Sequence, residues 1–220
     1  MYAHPYVVII AVGRSGSTIL QSILNAAPYT LVRGENNNFF YWQFKSYLAL
    51  TAPGPRPRGL NSTKPWFGYE FFNPRNYLER MREVATDFLL GNHNSQGVFV
   101  LGFKEIRFFE IPIPELNDYL DFLDILFPGV VFVLLQREPA EICKSSWWKK
   151  RLNSELVNQI HEFYASVLSR DRKNLITIEY SKIRDKDLSY LESSLFKPLD
   201  IPFIPQAVLE CLGQELNHCR

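Results

Sequence analysis

The chain is poor in the residues that metal and disulfide chemistry need. Its three cysteines, Cys143, Cys211 and Cys219, are odd in number and form no C-x-x-C pair. That argues against a disulfide scaffold and a zinc site. The four histidines, at 4, 93, 161 and 218, make no H-x-x-x-H pair, so no metal catalyst is expected. Charge of one sign is also missing: 24 Lys and Arg against 23 Asp and Glu leave a net +1. No global field points to nucleic acid or to a membrane surface, and any anion site must be local. Long apolar runs are absent as well. The first, Val7 to Val12, has six residues before Gly13, too few for a secretory core or a membrane span. A soluble, cytoplasmic protein with no nucleic-acid partner and no membrane span is the expectation.

What remains is ordinary globular composition, 46% hydrophobic over 220 residues, enough for a single domain spanning 1–220. Buried strands are expected at Val7–Val12, Tyr29–Val32, Val98–Phe103, Val130–Leu135 and Leu175–Ile178. Helices are expected after the first strand, at Pro74–Leu90, Pro114–Phe127, Ala140–Lys150, Ser154–Ser169, Leu188–Leu199 and Pro205–Leu216. Asn73-Pro74 starts the first of these as cap and first helical residue, and Tyr77, Met81, Val84, Ala85, Phe88 and Leu89 form its apolar face. The aromatic stretch Phe39 to Leu50 fits either a helix or an ordered lid, and core packing fits its rings better than an acceptor pocket. Ala52 to Pro65, with four prolines and two glycines, is a loop. Strands alternating with helices imply a three-layer α/β sandwich around a central, mostly parallel sheet. Ligands bind such sheets at the carboxyl ends of the strands. Gly13, Glu35, Lys104, Arg137 and Tyr180 each follow a strand and should share one rim.

The most informative stretch joins the first strand to the first helix: Gly13-Arg14-Ser15-Gly16-Ser17-Thr18, followed by apolar Ile19, Leu20, Ile23 and Leu24 at helical spacing. A strand, a glycine-containing polar turn and a helix N-terminus form an anion site, because successive N–H groups at the helix start point outward. An ATP or GTP loop would read G-x-x-x-x-G-K-[ST]. Here Ser17 stands where the lysine belongs, and Ala11 where the first glycine belongs.

Gly-Arg-Ser-Gly-Ser-Thr-x-Leu instead resembles the 5′-phosphosulfate loop of sulfotransferases, which use 3′-phosphoadenosine 5′-phosphosulfate (PAPS). The resemblance implies a P-loop-like version of the sandwich. A second segment, Val133 to Trp148, is similar to the family's 3′-phosphate segment: a strand, Arg137, Glu138-Pro139, and Ser145 eight residues after the arginine. It implies that Arg137 pairs bidentately with the 3′-phosphate and that Ser145 donates to the same group. Tyr180 resembles the tyrosine that ends a late strand in the family, although Ser181-Lys182-Ile183 follows it here. It either packs near the adenine or is a core tyrosine. The glycine-rich, lysine-containing loop near the C-terminus of cytosolic sulfotransferases has no counterpart.

The resemblance also implies roles. Gly13 through Thr18, with Arg137, Ser145 and Tyr180, would bind the donor, and Arg14 would stabilise charge on the leaving oxygen. Cytosolic members carry Lys-Thr-His after the middle strand. This chain has Lys104-Glu105-Ile106-Arg107, with isoleucine at the histidine position. Glu35 resembles the catalytic glutamate of other branches and is the expected base, or else a turn carboxylate paired with Arg33 or Lys45. Glu105 is the runner-up. Lys104 and Arg107 would attract sulfuryl oxygens or an anionic acceptor, or pair with Glu105 and nearby acids. Trp147 and Trp148 fit core positions. The acceptor, whether small molecule, carbohydrate or peptide, stays open. An ATP-using small-molecule kinase and an inactive nucleotide-binding relative are the competing readings.

Overall fold

The computed structural model describes residues 5–52, 59–93, 97–145, 148 and 154–213. In chain order these form β1 (Tyr6–Ile10), α1 (Ser17–Asn25), β2 (Thr30–Arg33), α2 (Phe39–Thr51) and α3 (Pro74–Leu90). Next come β3 (Val100–Glu105), α4 (Ile113–Leu126), β4 (Val130–Gln136), α5 (Pro139–Cys143) and α6 (Ser154–Leu168). The last part holds β5 (Leu175–Glu179), α7 (Tyr180–Arg184), α8 (Leu188–Leu191), α9 (Lys197–Leu199) and α10 (Pro205–Gly213).

The five strands form one sheet in the order β2-β3-β1-β4-β5, with every neighbouring pair parallel. In register, Ile10 stands level with Glu105 on one side and Leu134 on the other. The strands therefore end along a common edge. The chain leaves β1 toward β2 on one side and leaves β4 toward β5 on the other. The crevice between β1 and β4 is thus the topological switch point, where open parallel sheets take ligands.

Period-two alternation divides the core into two layers. Val8, Ile10, Phe103, Phe132 and Leu134 face one way and pack with Phe40, Phe44, Ala85, Leu120, Leu123 and Phe163 of α2, α3, α4 and α6. Val7, Ile9, Val131, Val133 and Leu135 face the other way, onto Leu20, Ile23, Leu24, Leu191, Leu195 and Val208. Helices on both faces explain why β1 and β4 read as almost unbroken apolar runs, while β3 runs two residues past its apolar part to end in Lys104 and Glu105. The architecture is the expected three-layer α/β sandwich, with a sheet that is wholly parallel.

Local signals account for most element ends. Asn73 Oδ1 accepts from the Arg75 N–H at 2.9 Å and the Asn76 N–H at 3.4 Å, and Pro74 occupies the first helical position. Phe39 to Thr51 is a helix rather than a lid: Phe40, Tyr41 and Phe44 are buried in the core. Two expectations need correction. On α3 the buried stripe is only Met81, Ala85 and Leu89, while Val84 and Phe88 are more than half exposed. Regular helix after β4 stops at Cys143, so Ser145 sits in the following turn and not two turns along a helix. The turn after β2 is made by Asn37 and Asn38, at φ 58° and 57°. Residues 53–58 of the proline-rich loop and Trp147 lie outside the described residues. Among the described residues no helix is long and apolar enough to cross a membrane.

Gly102 lets β3 close against β1. A Cβ there would lie 2.1 Å from the Val7 carbonyl oxygen, a backbone atom held by the sheet. Gly102→Ala should destabilise by about 1–3 kcal/mol or more, the scale of overpacking a core. Gly34→Ala, whose Cβ meets nothing within 4 Å, should stay near wild type. Urea unfolding midpoints check this, and equal midpoints would refute the close-approach argument.

Candidate functional site

The turn after β1 carries two residues in the left-handed region, Arg14 at φ 70° and Gly16 at φ 97°. For arginine that conformation costs about 1–2 kcal/mol and persists only when the surroundings hold it. Several contacts do. The Ser15 N–H donates to the Val12 carbonyl at 3.2 Å, closing the turn. The buried Trp148 indole N–H donates to the Gly13 carbonyl at 3.0 Å. Arg137 Nη1 donates to the Arg14 carbonyl at 3.2 Å. Gly16 then caps α1, accepting from the Ile19 and Leu20 N–H groups. The N–H groups of Gly16, Ser17 and Thr18 make no backbone hydrogen bond among the described residues, as expected of a free helix start.

Not every residue of the turn faces outward. Ser15 is fully buried, its N–H is spent on Val12, and its hydroxyl has no partner among the described residues. Its expected part as a ligand donor is corrected accordingly: it shapes the turn from behind.

The second segment meets the first. Arg14 Nε donates to Ser145 Oγ at 3.0 Å, so Ser145 is joined to the Arg14 side chain. Arg137 lies across the turn. Besides the Arg14 carbonyl it reaches Glu141 Oε2 from Nε at 3.2 Å, and its guanidinium stacks 4.3 Å from the centre of the Tyr180 ring. The Arg137 main chain is held by Tyr164, whose hydroxyl accepts from its N–H at 3.3 Å and donates to its carbonyl at 3.4 Å. Burial pushes the Tyr164 phenol up to about 12, which keeps that donor protonated. Tyr180, the first residue of α7, packs against Gly16.

The rim continues toward β2. Lys104, nearly buried on β3, reaches Glu35 Oε1 at 2.5 Å, while the Glu35 side chain is 42% exposed. Glu35 therefore pairs with neither Arg33 nor Lys45. Arg33 donates to the Leu89 and Leu90 carbonyls, and Lys45 pairs with Glu115. The second oxygen of Glu35 makes no hydrogen bond among the described residues.

Glu105 is the clearest correction. Instead of facing the rim as a base or an acceptor contact, it is buried. Oε2 accepts from the N–H groups of Asn36 and Asn38 at 3.0 and 3.1 Å, and Oε1 accepts from the Arg107 N–H at 3.0 Å. Its charge is satisfied by backbone donors, not by the Lys104 or Arg107 side chains, and it fixes the turn that carries Glu35. The Arg107 guanidinium lies on Glu110, at 2.8 Å, on an exposed turn.

Between the ends of β4 and β5 opens a cleft of about 380 Å³, lined by Arg137, Tyr164, Tyr180, Arg184, His161 and the carboxylates of Glu138, Glu141 and Glu179 among others. Sequence reasoning missed Trp148 as a clamp, and Tyr164, Glu141 and Arg184 as neighbours of Arg137. Only the i,i+4 spacing of Arg137 and Glu141 on a helix start signalled one of them. No group of three or more metal-type ligands occurs among the described residues.

The chain matches no protein-family model and no curated protein. Among solved structures it is similar to a sulfotransferase domain from the curacin biosynthetic pathway. The two share 16% identity with a TM-score of 0.56, over 96% of this chain and 79% of that one. At that identity the likeness is one of fold, and the chain has a sulfotransferase-like fold.

The contact of Tyr180 with Gly16 is directly testable. A Cβ at Gly16 would lie 2.3 Å from Tyr180 Cε2, on a backbone that also disfavours side chains. Gly16→Ala should cost about 2–4 kcal/mol, combining overpacking with left-handed strain. In a Tyr180→Ala background the same change should cost only about 1 kcal/mol, the strain part. Additive costs in the double-mutant cycle would show that the ring does not bear on the turn.

Proposed function

We propose that this protein transfers a sulfuryl group from PAPS to a hydroxyl or amine of a small-molecule, carbohydrate or peptide acceptor. One observation carries the reading: two anion-type segments more than 120 residues apart meet at the switch point of the sheet, Arg14 on Ser145 and Arg137 on the Arg14 carbonyl. The sulfotransferase-like fold supports it independently.

The free N–H groups at the start of α1 fit the 5′-phosphate of such a donor, since they are oriented donors at the positive end of the helix. Arg14, held over the turn, supplies the charge for the leaving oxygen, and Arg137 serves the 3′-phosphate. In the transfer the acceptor oxygen bonds to sulfur while the bond from sulfur to the 5′-phosphate oxygen breaks. That electron pair departs with 3′-phosphoadenosine 5′-phosphate (PAP). The acceptor proton passes to the Glu35 carboxylate. Lys104 orients that carboxylate through Oε1 and leaves Oε2 to meet the proton. Positioning and charge neutralisation then do most of the work, as in phosphoryl transfer.

Calorimetric titration tests the donor site. Arg137→Ala should weaken PAP by about 2–4 kcal/mol, the scale for losing one partner of a partly buried charged pair. Adenosine 5′-monophosphate, which lacks the 3′-phosphate, should change far less. Equal losses for both nucleotides would reject the assignment. Glu35→Gln tests the base: PAP affinity should persist while turnover with PAPS and a responsive acceptor falls about 10²–10⁴-fold. Normal turnover in this variant would remove Glu35 from the mechanism.

A further inference from the structure

Arg137 does not face the cleft alone. Glu141, in the first turn of α5 and four residues after Arg137, places Oε2 at 3.2 Å from Arg137 Nε and Oε1 at 3.6 Å from Arg184 Nη1. One carboxylate thus spans two guanidiniums that come from different elements, the end of β4 and α7. Among the described residues Arg184 is otherwise paired only with its neighbour Asp185, at 3.0 Å, on an exposed surface. Apart from the tyrosines, the remaining titratable side chains lining the cleft are Glu138, Glu179 and His161. Of the three carboxylates in the cleft, Glu141 is the one in ion pairs with both arginines.

We propose that Glu141 is an internal competitor for the 3′-phosphate of the donor, and that Arg184 is the second cation of that subsite. The proposal rests on the donor reading above. Two guanidiniums bridged by a planar dioxygen anion form the geometry that also clasps a phosphate, because both anions present paired oxygens to forked N–H donors. A dianionic 3′-phosphate entering the cleft meets Glu141 as a like charge and outcompetes it for both arginines. Glu141 turns out to solvent, which its 36% exposed side chain permits. The consequence is a tempered affinity: every molecule of PAPS bound, and every molecule of PAP held after transfer, bears the cost of displacing Glu141. Nucleotides without a 3′-phosphate leave the Glu141 bridge in place.

The experiment is calorimetric titration of the full chain with PAP and with adenosine 5′-monophosphate, in wild type, Glu141→Gln, Glu141→Asp and Arg184→Gln. Circular dichroism confirms folding of each. Glu141→Gln should bind PAP about tenfold more tightly, the effect of removing a competitor that occupies most of the free protein. Glu141→Asp, whose shorter arm cannot span both guanidiniums, should show a smaller gain. Arg184→Gln should weaken PAP about tenfold, as loss of a charge-assisted contact does. None of the variants should alter adenosine 5′-monophosphate binding. If wild type binds PAP but Glu141→Gln binds it no better, or Arg184→Gln binds it equally well, this inference is overturned and the donor reading stands. If wild type binds neither nucleotide, the donor reading falls and takes the inference with it.

Discussion

The rim of this protein depends on one strained turn being held from several directions. Arg14 occupies a backbone conformation that arginine avoids, and three carbonyls of the turn, those of Val12, Gly13 and Arg14, each accept a hydrogen bond that fixes it. The donors come from the turn itself, from Trp148 and from Arg137. Strain of this size survives because the contacts are made by groups that are themselves anchored: a buried indole, and an arginine clamped by Tyr164 and stacked on Tyr180. The turn, β4 and α7 therefore form one mechanical unit. The N–H groups that start α1 stay pointed outward because the turn before them cannot relax.

A second constraint is charge balance at short range. The rim brings Lys104, Arg137 and Arg184 to one edge of the sheet, and each has its own carboxylate: Glu35, Glu141 and Asp185. This explains how a chain with a net charge of only +1 can carry a local cation cluster. It also separates two kinds of carboxylate. Glu105 is buried and saturated by backbone N–H groups, so it is structural, setting the turn after β2. Glu35 and Glu141 are partly exposed and bound by side chains that have other oxygens or other anions to choose from. Only the second kind is suited to exchange a partner during a reaction.

Much of the fold was legible in the order of residues. Parallel strands buried on both faces must be apolar throughout, so Val7–Val12, Val98–Phe103 and Val130–Leu135 announced themselves, and glycine, proline and asparagine marked helix ends through backbone geometry that no distant contact alters. The glycine-containing turn after β1 was legible for the same reason: it is made by consecutive residues. The width of a buried helix face was not, since how much of Val84 and Phe88 is covered, and both are about half exposed, depends on which elements pack over them.

Which carboxylate meets which cation was decided by tertiary structure alone. Lys104 and Glu105 are adjacent in sequence, and on a strand adjacent side chains point to opposite faces, so they cannot share one partner. Lys104 reaches across to Glu35, while Glu105 turns toward the backbone of the asparagine turn. Likewise Ser145 and Arg137 lie eight residues apart, yet the short α5 ends before Ser145 and delivers it to Arg14 instead. By itself the sequence determined the layers, the strand ends that make the rim, and the residue types available there. The pairing among them arose only from sheet order and helix length, because ion pairs and hydrogen bonds depend on a few ångströms of separation that spacing along the chain does not encode.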